Sequence, residues 1–152
     1  MSALRILLVD DNRNLLTTLS DGLHKAMGTA ASVAVCFSGS EALSMLTTQS
    51  FDVVISEFDL PGESGLELLI KIRQEYPETI LILATTYGTD ALEEQAHRLG
   101  IGYVTKPFGI LLLVQIIHDL VGDAATAKNR DETGNAPHIL ISDSEKGNAD
   151  ML

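Results

Sequence analysis

The stretch DVVISEFDLPGESGLELLIKI, residues 52–72, contains one strand, one turn and one helix in succession. Its apolar run at 53–55 is short and continuous, which is typical of a strand that is buried on both faces. Pro61 and Gly62 end the run, and apolar residues then recur at helical spacing, with Ser64 as a candidate N-cap. The unusual residue is Glu57, because it places a charge at the end of an apolar strand.

The same alternation occurs five times over roughly the first 120 residues, and we predict that the last helix ends at Gly122. Strands that alternate with helices indicate a parallel sheet that is covered by helices on both faces. Residues 123–152 are polar at their start, without an apolar period. The sequence therefore predicts one α/β domain over residues 1–122, followed by a polar linker and tail over residues 123–152.

The tail contains a second apolar run at residues 139–141, within the stretch ILISDSEK. This stretch is similar to ILLVDDNR at residues 6–13, so one interpretation is that the tail begins a further unit. The alternatives are a chance similarity, a disordered tail, or a strand that docks on the edge of a sheet.

Charge and composition exclude several classes of protein. The 10 Lys and Arg residues face 21 Asp and Glu residues, and the net charge is −11, so direct binding to nucleic acid or to an anionic membrane is not expected. The apolar run near the N-terminus is too short for a signal peptide or a membrane span. The single cysteine, Cys36, cannot form an internal disulfide, and we expect a cytoplasmic protein.

Polar side chains follow the ends of four of the predicted strands. In an open parallel sheet, ligands bind outside the carboxyl ends of the strands, so these side chains are expected to lie together. Clustered carboxylates repel each other, which indicates a cation at this edge: Mg²⁺, a lysine ammonium group, or both. The residues are Asp10, Asp11, Glu57, Asp59, Thr85 and Lys106.

Four motifs together carry a resemblance to a known family. They are the Asp10–Asp11 pair, the LPGESG turn, TTYG from Thr85 and YVTKPF from Tyr103. The chain resembles the receiver domain of two-component response regulators over about residues 4–121. The resemblance implies a flavodoxin-like fold with five βα units and strand order 2-1-3-4-5. It also implies a phosphorylation site, with Asp10 and Asp11 as the acidic pair, Thr85 and Tyr103 as switch residues, and Lys106 as the site lysine.

The sequence departs from the family at the phosphoacceptor, where Glu57 stands in place of aspartate. The extra methylene moves the carboxylate outward by up to ~1.5 Å, and a misplacement of about 1 Å can slow phosphoryl transfer on the order of a hundredfold. The sequence therefore predicts poor or absent phosphorylation. If Mg²⁺ still binds, the resemblance implies Asp11, Glu57 and the backbone carbonyl of Asp59 as its ligands, with binding weakened or absent because Lys106 competes.

Two roles for Glu57 remain open at this point. Glu57 either mimics the phosphorylated state or pairs with Lys106 and preserves the fold without such a bias. The predicted function is an atypical receiver that acts through protein–protein contacts and is not an enzyme. The alternatives are a competent receiver that accepts phosphate from a histidine kinase with Mg²⁺, or a structural dimerisation module.

The expected partners are proteins, either a histidine kinase or a downstream effector. The last predicted helix contains the strongly apolar stretch GILLLVQIIHDLV, which begins at Gly109. This composition allows either a broad buried face or a homodimer contact through the fourth and fifth helices.

Overall fold

In the computed structural model, the described residues are 3–133, with side chains described through residue 126. The strands are β1 (Leu4–Val9), β2 (Ala31–Cys36), β3 (Val53–Glu57), β4 (Ile80–Thr85) and β5 (Gly102–Thr105). The helices are α1 (Arg13–Met27), α2 (Gly39–Thr48), α3 (Gly65–Glu75), α4 (Asp90–Arg98) and α5 (Ile110–Thr133), with a 3₁₀ turn at Gly28–Ala30. Within the described residues, the chain divides into two units, residues 3–117 and residues 118–133.

The five strands form one parallel sheet in the order β2-β1-β3-β4-β5, which confirms the predicted flavodoxin-like fold. In the middle of the sheet, Leu8 pairs with Ile55, and Ile55 pairs with Ile82. All five residues of β3 are buried. Burial on both faces explains why the sequence shows continuous apolar runs rather than an alternation of apolar and polar residues.

The helix starts are capped by the side chains that the sequence provides. Ser64 accepts from the backbone N–H of Glu67, and the Glu67 carboxylate accepts from the backbone N–H of Ser64, which completes a capping box at the start of α3. A Cβ at Gly65 would lie 1.8 Å from the carbonyl oxygen of Glu57. Only glycine therefore allows α3 to begin so close to the end of β3.

Helix α5 begins in the first unit, where Leu113 and Ile117 are buried and Leu111 and Leu112 are exposed. In the second unit the helix continues from His118 to Thr133, so the predicted end at Gly122 is wrong. The Ala-containing sequence DAATAKNRDET after Gly122 has sufficient helix propensity to continue the helix.

Helix α5 therefore enters the segment that was predicted to be a linker, and the domain boundary at residue 122 stays a prediction. The stretch ILISDSEK lies outside the described residues. Within residues 3–133, no helix is both long enough and apolar enough to cross a membrane.

Candidate functional site

Three charged side chains meet at the carboxyl ends of β1, β3 and β5. The ammonium group of Lys106 donates to Oδ2 of Asp10 at 2.7 Å and to Oε1 of Glu57 at 2.5 Å. The side chains of Asp10 and Glu57 are 7% and 9% exposed, and that of Lys106 is 15% exposed. We refer to Asp10, Glu57 and Lys106 as the ion-pair triad.

The other two carboxylate oxygens of the triad also have donors. Oδ1 of Asp10 accepts from the backbone N–H of Asn12 at 2.9 Å, and Oε2 of Glu57 accepts from the backbone N–H of Asp59 at 3.0 Å. Each of the four carboxylate oxygens is therefore hydrogen-bonded. This matters because a buried carboxylate without compensation costs several kcal/mol.

The turn after β3 holds the Asp59 amide in place. Asp59 and Ser64 form an isolated antiparallel bridge, and the amide of Gly65 donates to the carbonyl of Phe58 at 2.6 Å. Gly62 has a φ of 87°, a left-handed conformation that favours glycine. The extra methylene of Glu57 is accommodated because its carboxylate reaches both Lys106 and the amide of this turn.

The charge of Lys106 follows from its surroundings. Burial lowers the pKa of Lys106, but the hydrogen bonds and the negative charges of Asp10 and Glu57 outweigh burial and raise this pKa above its ordinary value. Lys106 is therefore a cation at neutral pH.

The two predicted switch residues lie beside the triad on β4 and β5. Thr85 is buried at the end of β4, and its carbonyl accepts from the backbone N–H of Lys106 at 2.9 Å. Tyr103 is partly buried in β5, where its hydroxyl lies against Gly88. Burial, followed by the charges of Glu93 and Asp90, raises the pKa of Tyr103, so its hydroxyl is protonated at neutral pH.

Sequence reasoning did not identify Gly88 or Asn12 as part of this region. A Cβ at Gly88 would lie 1.7 Å from the Tyr103 hydroxyl, so the inward position of Tyr103 requires glycine there. The TTYG motif contains this glycine, but the motif does not show that its neighbour is Tyr103. Asn12 had a local signal, because it also caps α1 by accepting from the amide of Leu15.

The metal ligands, Asp11, Glu57 and the backbone carbonyl of Asp59, stay a prediction. Asp11 and Asp59 are exposed, and in the part of the chain that the structure describes, no three His, Cys, Asp or Glu residues are grouped to hold a metal ion. The Lys106 ammonium lies within 2.7 Å of both buried carboxylates, and it would repel a divalent cation at the same position. In this arrangement the two buried carboxylates hold the Lys106 ammonium group.

A groove of about 280 Å³ opens next to Lys106. It lies between the first half of α1 and the residues that follow β4 and β5, and most of its lining is apolar. Its lining residues are Leu15, Leu19, Thr86, Lys106, Pro107 and Phe108.

Comparison with known proteins gives a consistent result. The family model of the response regulator receiver domain matches residues 6–118. The response regulator protein FleR of Pseudomonas aeruginosa is 38% identical over 116 residues, which cover 76% of this chain and 24% of that protein. The DNA-binding transcriptional regulator NtrC of Klebsiella pneumoniae is 34% identical over 104 residues, which cover 68% of this chain and 22% of that protein. The chain spans about a quarter of the length of these curated relatives.

Solved structures give the same match. The signal receiver domain of an HD domain-containing protein from Pseudomonas fluorescens is 28% identical, with a TM-score of 0.75, and the match covers 86% of this chain and 95% of that chain. The BeF3-activated DrrB receiver domain is 30% identical, with a TM-score of 0.68, and the match covers 79% of this chain and 98% of that chain.

Proposed function

The chain belongs to the response regulator receiver domain family, and we propose that it is an atypical receiver whose switch site is set by Glu57 instead of by phosphorylation. In this proposal the domain is a cytoplasmic signalling module that acts through protein contacts and is not an enzyme. The observation that carries the proposal is the Lys106 ammonium, which lies between Asp10 and Glu57 with both ion pairs formed.

The geometry of Glu57 supports the loss of phosphoryl transfer. In-line transfer needs an acceptor oxygen that is positioned towards the incoming phosphorus atom, and catalysis depends almost entirely on this positioning. Both oxygens of Glu57 are hydrogen-bonded, one to Lys106 and one to the amide of Asp59. A phosphodonor would have to approach an oxygen that already accepts a hydrogen bond, and it would have to fit beside a side chain that is one methylene longer than aspartate.

The same contacts support a site that does not depend on Mg²⁺. Lys106 compensates one of the two negative charges of Asp10 and Glu57 within the chain, and two backbone amides donate to the same carboxylates, which lowers the need for a further cation to bury them. In this proposal Mg²⁺ binds weakly or not at all while the triad is intact.

The triad also indicates how Glu57 acts. One carboxylate supplies two oxygens, whereas a phosphoryl group supplies three acceptor oxygens and a larger charge. We therefore propose that Glu57 fixes the site in one state, with Lys106 drawn towards β3, and that this state is not regulated by a kinase at residue 57. Support comes from the pairing itself, which engages two of the three N–H donors of the Lys106 ammonium.

Partners are proposed to be proteins of a two-component pathway, either a histidine kinase or a downstream effector. The exposed side chains of Leu111 and Leu112 at the start of α5, together with Leu99 just after α4, support an apolar contact surface. A homodimer through α4 and α5 remains a prediction from the sequence.

A phosphodonor experiment tests the proposal. The wild-type protein and the Glu57→Asp variant are incubated with Mg²⁺ and a small phosphodonor such as acetyl phosphate, and the intact mass is measured. We expect the mass of one added phosphoryl group on the Asp variant and no modification of the wild type, because only the shorter side chain restores the acceptor position.

Glu57→Gln is the matched control, because it keeps the length of Glu57 and removes its charge. Modification of wild-type Glu57 to the same extent as the Asp variant would contradict the proposal. An unmodified Asp variant would show that residue 57 alone does not account for the loss of phosphorylation. Asp59→Asn in the Glu57→Asp background identifies any phosphoryl group that is carried by Asp59.

A further inference from the structure

Helix α4 is attached to the rest of its unit by few side chains. Its nine residues, DALEEQAHR, are mostly charged or polar, and the buried residue among them is Ala96. Leu92 is only partly buried against the core. A helix that buries so little apolar surface gains little from packing, so its position depends on the contacts at its ends.

The C-terminal end of α4 has a Schellman arrangement. Gly100 has a φ of 70°, its amide donates to the carbonyl of His97 at 3.0 Å, and the amide of Ile101 donates to the carbonyl of Ala96 at 2.9 Å. These bonds satisfy carbonyls within the last turn. The carbonyls of Leu99 and Gly100 lie beyond the turn and need donors from another part of the chain.

Arg73, in the last turn of α3, supplies both donors. Its Nη1 donates to the carbonyl of Leu99 at 3.1 Å, and its Nη2 donates to the carbonyl of Gly100 at 3.4 Å. The cationic guanidinium therefore binds the negative end of the α4 dipole. A Cβ at Gly100 would lie 3.3 Å from Nη1, so a larger residue at this position would crowd the fork.

Arg73 as a whole is partly buried, and its Nε atom is fully buried in this position. Among the described residues, Nε of Arg73 is the one side-chain nitrogen or oxygen atom that is buried and has no hydrogen-bond partner. An exposed arginine on a helix surface would place this N–H in water instead. The guanidinium is thus held against α4 although one of its donors stays unsatisfied.

From these contacts we propose that Arg73 is a positioning residue that clasps the C-terminal end of α4 to α3. The clasp goes beyond the proposed function of the triad and does not depend on it. In the first half of α4, only the partly buried Leu92 packs against the core cluster. The position of the C-terminal end of α4 therefore depends on the Arg73 fork as well as on the burial of Ala96.

Amide hydrogen exchange of the whole chain tests the clasp. In the Arg73→Met variant we expect the amides of Leu99, Gly100 and Ile101 to exchange about tenfold faster than in the wild type, because two hydrogen bonds to this turn are lost. Amides in β1 and β3 are expected to keep their exchange rates. This pattern separates a local clasp from a general loss of stability.

Arg98→Met is the matched control, because Arg98 also carries a positive charge at the end of α4 but forms only an exposed pair with Glu94 at 3.5 Å. We expect its exchange rates to stay within about twofold of the wild type. Equal exchange rates of the Leu99, Gly100 and Ile101 amides in the Arg73→Met and Arg98→Met variants would overturn the proposal. Uniformly faster exchange throughout the sheet in the Arg73 variant would also overturn it.

Arg73→Lys tests the fork itself and remains informative if the methionine variant does not fold. Lysine keeps the charge but cannot donate to both carbonyls in the planar geometry of a guanidinium. We expect faster exchange of Gly100 and Ile101 in this variant as well. Wild-type exchange rates with lysine would mean that charge alone holds the turn, and would overturn the clasp.

Discussion

At the carboxyl ends of β1, β3 and β5, two carboxylates and one ammonium group are buried against each other, and each of the four carboxylate oxygens has a hydrogen-bond donor. Helix α4, by contrast, buries Ala96 and is attached at its C-terminal end by the two hydrogen bonds of Arg73. Removal of Lys106 from the triad has a large cost, because it leaves the two carboxylates buried without their cation. Helix α4 can move at a small cost, because it has little apolar surface to lose.

Under the proposed function, this difference describes a receiver that keeps its fold and loses phosphoryl transfer. Lys106 compensates one of the two negative charges of the triad, and backbone amides donate to both carboxylates. Any response to a protein partner is then expected in α4 and in the loop that contains Gly88. Two variants and one pH series test this contrast between the triad and α4.

The largest effect is expected from Lys106→Met. This change leaves Asp10 and Glu57 buried without their cation, and we expect the free energy of unfolding at neutral pH to fall by about 3 kcal/mol. Chemical denaturation monitored by circular dichroism measures the loss. A phosphoryl group or Mg²⁺ is not needed for this measurement, so it tests the triad alone.

Lys71→Met is the control for the loss of a lysine ion pair. Lys71 pairs with Glu63 at 2.9 Å, but its side chain is 56% exposed, and exposed pairs contribute at most about 1 kcal/mol. If Lys106→Met lowers the free energy of unfolding no more than Lys71→Met does, the triad does not stabilise the fold more than an exposed ion pair.

A smaller effect is expected from Gly88→Ala, which changes the loop between β4 and α4. The new methyl group would lie 1.7 Å from the hydroxyl of Tyr103, so either the loop or the tyrosine must move. We expect a loss of about 1–2 kcal/mol in the free energy of unfolding. The loss should be smaller in a Tyr103→Phe background, because the closest atom is then absent.

Gly109→Ala is the matched control, because a Cβ at Gly109 has no heavy atom within 4 Å. We expect a change of less than about 0.5 kcal/mol for this variant. An equal loss of unfolding free energy from Gly88→Ala in the wild-type and Tyr103→Phe backgrounds would show that Gly88 and the Tyr103 hydroxyl are not coupled.

The sequence predicts the triad region better than it predicts α4. Asp10, Glu57 and Lys106 each follow a strand of a parallel sheet, and the fold brings the carboxyl ends of such strands together. The apolar runs and the helical periods gave the order of the elements, so the location of these residues could be predicted. The partner of Oε2 in Glu57 could not be predicted, because it depends on the conformation of the turn at Asp59.

The contacts around α4 depend on packing that leaves no periodic signal. Arg73 and Leu99 are separated by 26 residues, and nothing in RQEY or RLGI indicates that they meet. The contact of Gly88 with Tyr103 likewise depends on how the loop after β4 lies over β5. The prediction that α5 ends at Gly122 is wrong for a local reason. A glycine near the end of an apolar period is typical of a helix stop, but here good helix formers follow it and the helix continues.

The smallest effect is expected from pH, and it tests the charge of Lys106. The folded-state pKa of Lys106 is raised above its ordinary value of 10.5, so its stabilising contribution is fully present below that value and is lost as the pH rises through the folded-state pKa. The difference in unfolding free energy between wild type and Lys106→Met should therefore change by less than about 0.5 kcal/mol between about pH 7 and about pH 9, and it should shrink only above about pH 10.5. Tyr103 also has a raised pKa and destabilises the fold at alkaline pH, but it is present in both proteins, so its contribution cancels in the difference. A difference that already shrinks below pH 9 would mean that the triad does not hold Lys106 as a cation, and that the site is not fixed by charge.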